Sequence, residues 1–150
     1  LGPGGAYAPD PEVDWHLLVG DESALPAIAA SLEAIPAGVQ ADAFVLVADP
    51  AEEQNLVSKG DVRIHWLHRS AGDDLVAAVR ALPFPPGIVQ AFVHGEAGFV
   101  RQLRRYLLDE CGMPRELLSV SGYWRRGKTD EEWRIEKAAE RKAEEERAAG

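Results

Sequence analysis

A single cysteine, Cys111, occurs in 150 residues, which excludes an internal disulfide and any cysteine-rich zinc or iron-sulfur site. A lone thiol has no resolving partner, so Cys111 reads as a filler at a helix end rather than a nucleophile. No uninterrupted apolar run approaches the roughly 20 residues that cross a bilayer, and no basic segment followed by an apolar stretch marks a secretory signal. A cytoplasmic location is the default expectation. Basic residues are in the minority, 16 against 25 acidic ones, for a formal charge of −9. A molecule of that sign repels phosphate backbones and anionic headgroups, which argues against nucleic acid and membranes as partners. His16, His65, His68 and His94 show no metal-ligand spacing with cysteine or acidic residues, so no metal site is expected. Ser119 and Ser121 have no nucleophile-elbow context, so acyl transfer has no support and no catalytic residue is assigned.

What is present is the balance of a soluble globular domain, with 46% hydrophobic and 27% charged residues and enough length for one core. Residues 1–12 are rich in Gly and Pro and read as a linker, and a chain opening on Leu1 in this way is expected to be cut from something longer. Residues 13–128 then repeat one grammar. Trp15–Val19 is an apolar run that stops at Gly20, and Asp21, Glu22 and Ser23 open a segment with Leu25, Ile28, Leu32 and Ile35 at helical spacing up to Pro36. Ala41–Ala48 and Val62–Leu67 predict strands, with a short helix or turn over Asp49–Val57 between them. A helix follows over Asp73–Leu82, a strand over Ile88–Val93, an amphipathic helix over Ala97–Cys111 and a fifth strand over Leu117–Ser121. Thr129 and Glu132 have the spacing of a capping box, so residues 129–150 predict a charged helix.

Alternating strands and helices imply an α/β domain with a mostly parallel sheet, because parallel neighbours need crossovers. Strands that are apolar along their length predict helices on both faces. Ligands of such sheets bind at the carboxyl ends of the strands, where the strand order reverses. The candidate positions follow. Gly20, Asp21, Glu22, Ser23 and Ala24 join the first strand to the first helix, where a diphosphate meets backbone amides, although no G-x-G-x-x-G is present and the two acids alternatively cap the helix. Gly95, Glu96, Ala97 and Gly98 occupy the same place after the fourth strand, either admitting a ligand or making a tight turn. His68, Arg69 and Ser70 follow the third strand, where a guanidinium either grips a phosphate or is solvated. Tyr123, Trp124, Arg125 and Arg126 leave the last strand, either stacking on a planar ring and holding an anion or packing beneath the last helix. Arg101, Arg104 and Arg105, close together on the helix over 97–111, balance nearby acids.

Taken together, the stretches GPGGAYAPDPEVDWHLLVGDESALPAIAASLEAIP, AFVHGEAGFVRQLRRYLL and SVSGYWRRGKTDEEW resemble the C-terminal domain of the siderophore-interacting protein family, in the same order, from Gly2 to about Trp133. The resemblance implies a ferredoxin-reductase-like protein of two domains: an N-terminal β-barrel holding FAD and a Rossmann-like, five-stranded α/β domain binding NADPH or NADH. Such proteins pass hydride from nicotinamide to flavin and then single electrons to a ferric siderophore, releasing ferrous iron for iron acquisition. The resemblance implies that GDESA lies under the cofactor, HGEAG beside its nicotinamide end and GYWRRG near the flavin face. It sets Arg69 and Ser70 where related reductases hold a 2′-phosphate. The chain alone, without a flavin domain, is then expected to bind nucleotide without reductase activity. A nucleotide-sensing module and an interaction domain docking through the charged helix are the competing readings.

Overall fold

The computed structural model describes residues 8–149. Five parallel strands form one sheet in the order β3-β2-β1-β4-β5: β1 (Trp15–Asp21), β2 (Gln40–Val47), β3 (Asp61–His68), β4 (Val89–Glu96) and β5 (Leu118–Trp124). β1 lies at the centre between β2 and β4, and all seven of its residues are buried. That position explains its largely apolar run, since both faces of a central parallel strand are covered. Strand order reverses at β1, which goes left to β2 and β3 while β4 and β5 are added on the right.

Right-handed crossovers put the helices on opposite faces according to the direction of travel. α1 (Leu25–Ala34), returning from β1 to β2, covers one face. It starts with Pro26 in its first turn, where no amide partner is lost, and buries Leu25, Ile28 and Leu32 before Ile35 turns extended ahead of Pro36. Those side chains pack on Leu18, Ala43, Val45 and Phe92, each contributing about 1.5–3 kcal/mol. α2 (Leu75–Ala81) and α3 (Ala97–Arg105) cover the other face through Leu75, Val79, Val100 and Leu103.

Helices flank both faces of the sheet, as expected, with thinner cover at β5. Leu118 and Val120 pack toward the α3 core, but Ser119, Ser121 and Tyr123 alternate to the α1 side, where α1 lies over the left half of the sheet. The short helix or turn expected over Asp49–Val57 is a single 3₁₀ turn at Pro50–Glu52, capped by Asp49 and followed by irregular chain. The helix expected over Ala97–Cys111 changes to a π-turn at Tyr106–Glu110, with Cys111 just beyond it. Burial raises the Cys111 thiol above its ordinary value, despite the Tyr106 hydroxyl beside it, which leaves it a poor nucleophile.

α4 (Asp130–Ala149) closes the fold beside β5. The capping box is formed: Thr129 N donates to Glu132 at 2.9 Å and Glu132 N to Thr129 Oγ1 at 3.1 Å. Trp133 is its one buried residue, Lys137 donates to the Gly122 carbonyl at 2.9 Å, and Glu140 pairs with Arg101 at 2.6 Å. At the other end, Asp10 N donates to the Gln90 side chain at 2.7 Å, which returns a bond to the Ala8 carbonyl at 3.1 Å. The described part of the expected linker thus runs along the start of β4, and the rest of it lies outside the described residues.

Gly20 sets the spacing between β1 and α1. A Cβ there meets Ala24 Cβ at 2.8 Å, Ile28 Cδ1 at 2.9 Å and the His94 carbonyl at 3.0 Å. Gly20→Ala is expected to cost about 1–3 kcal/mol by overpacking, read as a lower urea midpoint with an unchanged slope.

Candidate functional site

Three of the loops singled out in the sequence meet at the carboxyl rim, and one side chain holds them together. Asp21 ends β1 fully buried. Its Oδ1 accepts from Ser23 N at 2.9 Å and from the Ser23 hydroxyl, and its Oδ2 accepts from Glu96 N at 3.0 Å and from Trp124 Nε1 at 2.9 Å. The carboxylate therefore caps the turn into α1 while tying it to the ends of β4 and β5. Its negative charge is spent inside the fold.

Gly95 makes that approach possible. It has φ +139°, and a Cβ on it would stand 2.9 Å from the Asp21 carboxyl carbon and 2.7 Å from Phe99 Cζ. The register between β4 and β5 shifts at Gly95/Glu96, a bulge that turns Glu96 toward α3. Glu96 then caps α3, accepting from Phe99 N at 3.3 Å, and steadies the β5 exit by accepting from Arg126 N at 3.2 Å. Ala97 is buried and Gly98 half-buried in the first turn of the helix.

The remaining predicted residues lie around this pin. Gly20 and Ala24 are buried in the packing of α1, while Ser23 is exposed at the rim. Trp124 is half-buried, Arg126 is exposed, and Arg125 pairs with Glu136 of α4 at 3.2 Å. Arg69 reaches from the end of β3 to Glu22 in a close ion pair, and Ser70 N bonds the Ala48 carbonyl at 2.9 Å. Burial pushes the Glu22 carboxyl up, but the Arg69 hydrogen bond, Glu22's own backbone and the Arg69 charge outweigh it and leave the group below its ordinary value. His68 bonds Glu53 at 2.6 Å.

A cavity of about 360 Å³ opens on the rim between the start of α2 and the start of α3, lined among others by Leu46, Asp73, Glu96, Gly98 and Arg126. A larger groove, about 690 Å³, lies away from it between α3, β5 and α4. Arg101, Arg104 and Arg105 line that groove rather than the rim. Among the described residues, no group of three or more His, Cys, Asp or Glu side chains is placed to hold a metal, and no helix is long and apolar enough to cross a membrane.

Two polar clusters escaped the sequence reading. His94 is buried, stacks on Phe92 at 3.8 Å, and is bracketed by Tyr123 OH at 2.9 Å from Nδ1 and Ser119 Oγ at 2.9 Å from Nε2. The legible signal was the alternation Ser119, Ser121, Tyr123 beside Phe92 and His94. Asp42, fully buried on β2, accepts from Trp15 Nε1 at 2.9 Å, from Arg63 at 2.7 and 3.0 Å, and bonds His65 at 2.8 Å. Burial opposes its ionisation, yet those hydrogen bonds and the Arg63 charge hold its carboxyl below the usual range. Asp42 pairs in register with Leu17 and Arg63, well before the carboxyl ends, so it secures the edge strand rather than the rim. A mid-strand acid opposite an arginine was the available clue.

The architecture is a Rossmann-like α/β domain, a five-stranded parallel sheet flanked by helices. The siderophore-interacting protein model matches residues 13–127, and the chain belongs to that family. An uncharacterised protein of Mycobacterium tuberculosis is 47% identical over 148 residues, covering 89% of this chain and 52% of the relative. The ferric vibriobactin reductase ViuB of Vibrio cholerae is 36% identical over 145 residues, covering 91% and 52%. The chain thus spans about half the length of the curated relatives it matches. The crystal structure of a siderophore utilization protein from T. fusca superposes with a TM-score of 0.71 at 41% identity, covering 81% of this chain and 48% of that one. The siderophore-interacting protein of Acinetobacter baumannii shares the fold, with a TM-score of 0.81 at 22% identity over 97% of this chain and 60% of that one.

Asp21→Asn is expected to destabilise by about 1–3 kcal/mol, because an amide cannot accept at both positions and leaves a buried donor unsatisfied. A shifted Trp124 emission together with a lower denaturation midpoint is the readout. His94 is pushed down to about 4, by burial first and by the Lys137 charge second. The folded state therefore resists protonation that the unfolded chain accepts near pH 6.5, so stability falls as pH drops from 6.5 to 4 and is flat above 7. His94→Gln is expected to flatten that window in unfolding curves taken at several pH values.

Proposed function

We propose that this chain is the nicotinamide-dinucleotide-binding half of a flavin-dependent ferric-siderophore reductase. In this reading residues 1–12 lead from an FAD-binding barrel, residues 13–128 are the NAD(P)H domain, and residues 129–150 are the charged C-terminal segment that carries α4. The single observation that carries the reading is the convergence of 20–24, 95–98 and 123–126 on one rim, where strand order reverses, in a family that includes a relative named as a ferric vibriobactin reductase.

The residues present fit a dinucleotide laid across the rim. Arg126, exposed beside the turn fixed by Glu96, is the cation suited to the diphosphate. Ser23 offers a hydroxyl at the start of α1, and Gly98 keeps the first turn of α3 free of a side chain. Trp124, its indole fixed by Asp21, and Tyr123, 41% exposed and bonded to His94, present flat surfaces to a planar ring and to the flavin half. When bound, NAD(P)H would supply the hydride, and a flavin in the other half would supply the one-electron chemistry that ferric ion requires. The ferric siderophore, the flavin half and a cytoplasmic location belong to this reading of the whole protein.

Titration of the chain with a nicotinamide dinucleotide is expected to shift the amides of Glu22, Ser23 and Gly95–Gly98 in NMR spectra. The chain alone is expected to leave ferric chelates unreduced in the presence of NADPH or NADH, and fusion to a flavin-binding half is expected to restore ferrous-ion release. Iron release by the chain on its own, followed by a colorimetric ferrous chelator, would overturn the division of labour.

A further inference from the structure

Resting on the dinucleotide reading above, we infer that this rim selects NADH over NADPH, because Glu22 holds Arg69 in an ion pair across the end of β2 and the neighbouring carboxylates repel a 2′-phosphate. A reader of the 2′ position needs one of two chemistries: a carboxylate accepting from a ribose hydroxyl, or a guanidinium gripping a phosphate. Both residue types stand at this rim, and the geometry assigns them to each other.

Arg69 opens the turn after β3 and Glu22 the turn after β1, with β2 between them. Their ion pair therefore spans the carboxyl end of β2, where the adenosine ribose is read in sheets of this order. The Ser70 amide, bonded to the Ala48 carbonyl at 2.9 Å, anchors the Arg69 turn to that same end. The guanidinium is also under the influence of the Asp21 charge, and its hydrogen bond to Glu22 strengthens its hold on its proton.

The surrounding charge has one sign. No Lys or Arg occurs from Ala48 to Ser58, and Arg69 is the only one from His68 to Asp74. The same stretches carry Asp49, Glu52, Glu53, Asp73 and Asp74. The imidazole of His68 bonds Glu53 at 2.6 Å, which keeps it from a ligand phosphate. A phosphate monoester brings between one and two negative charges, and binding it here requires breaking the Arg69 pair and leaving Glu22 beside it. A ribose 2′-hydroxyl meets acceptors and breaks nothing.

The test is isothermal titration of the chain with NAD⁺ and with NADP⁺ at low and high salt, for the natural sequence and for Glu22→Gln. NAD⁺ is expected to bind at least about tenfold more tightly than NADP⁺ at low salt, with the ratio shrinking at high salt as repulsion is screened. Glu22→Gln, verified as folded by circular dichroism, is expected to narrow the ratio by about fivefold or more by freeing Arg69. NADP⁺ binding as tightly as NAD⁺, or more so, overturns the preference while leaving the dinucleotide reading in place. An unchanged ratio in folded Glu22→Gln removes the ion pair as its cause and overturns the inference too. Binding of neither nucleotide by the natural sequence overturns both readings together.

Discussion

The rim depends on burying one carboxylate, Asp21, with a full set of donors. An ionised group without partners inside a protein costs several kcal/mol, so Asp21 is stable at the end of β1 only while the Ser23, Glu96 and Trp124 groups converge on it. The requirement works in both directions. The three loops cannot drift apart without stranding the charge, and the charge cannot be removed without releasing the loops. Gly95, with its positive φ and missing side chain, is the geometric condition for the arrangement.

The same device recurs at lower cost around the rim. Glu96 serves α3 and the β5 exit at once, and Glu22 serves Arg69. Each acid that sequence alone sets against phosphate binding is committed to a protein donor. What faces outward then differs across the rim, with Arg126 exposed on the β5 side and carboxylates gathered on the β2 and β3 side.

Much of the fold was legible because its signals are local. Apolar runs marked the strands, the first of them stopping at Gly20, and Pro36 and the Thr129–Glu132 box punctuated the helices near where they end or begin. The rim loops were also legible, since topology alone puts them at the carboxyl ends. What failed was long-range. No spacing rule reveals that Trp124 would reach Asp21, that Arg69 would cross β2 to Glu22, or that Asp42 would gather Trp15, Arg63 and His65. The π-turn at Tyr106–Glu110 escaped because its residues keep helical periodicity while one extra residue enters the turn. The thinner cover at β5 was readable in the alternation of that strand but was masked by the apolar character of the central strands.

The C-terminal helix gives the open sheet a means of remaining solitary. β5 is an edge strand, and such strands offer unpaired backbone groups to any extended segment that comes near. Lys137 occupies the Gly122 carbonyl while Trp133 lies alongside Gly122, so the upper part of that edge is shielded by a charged helix. The opposite edge, β3, displays exposed Asp61 and Arg63 instead. With one border sheathed and the other studded with charge, the sheet is protected from recruiting a stray strand and growing into a polymer.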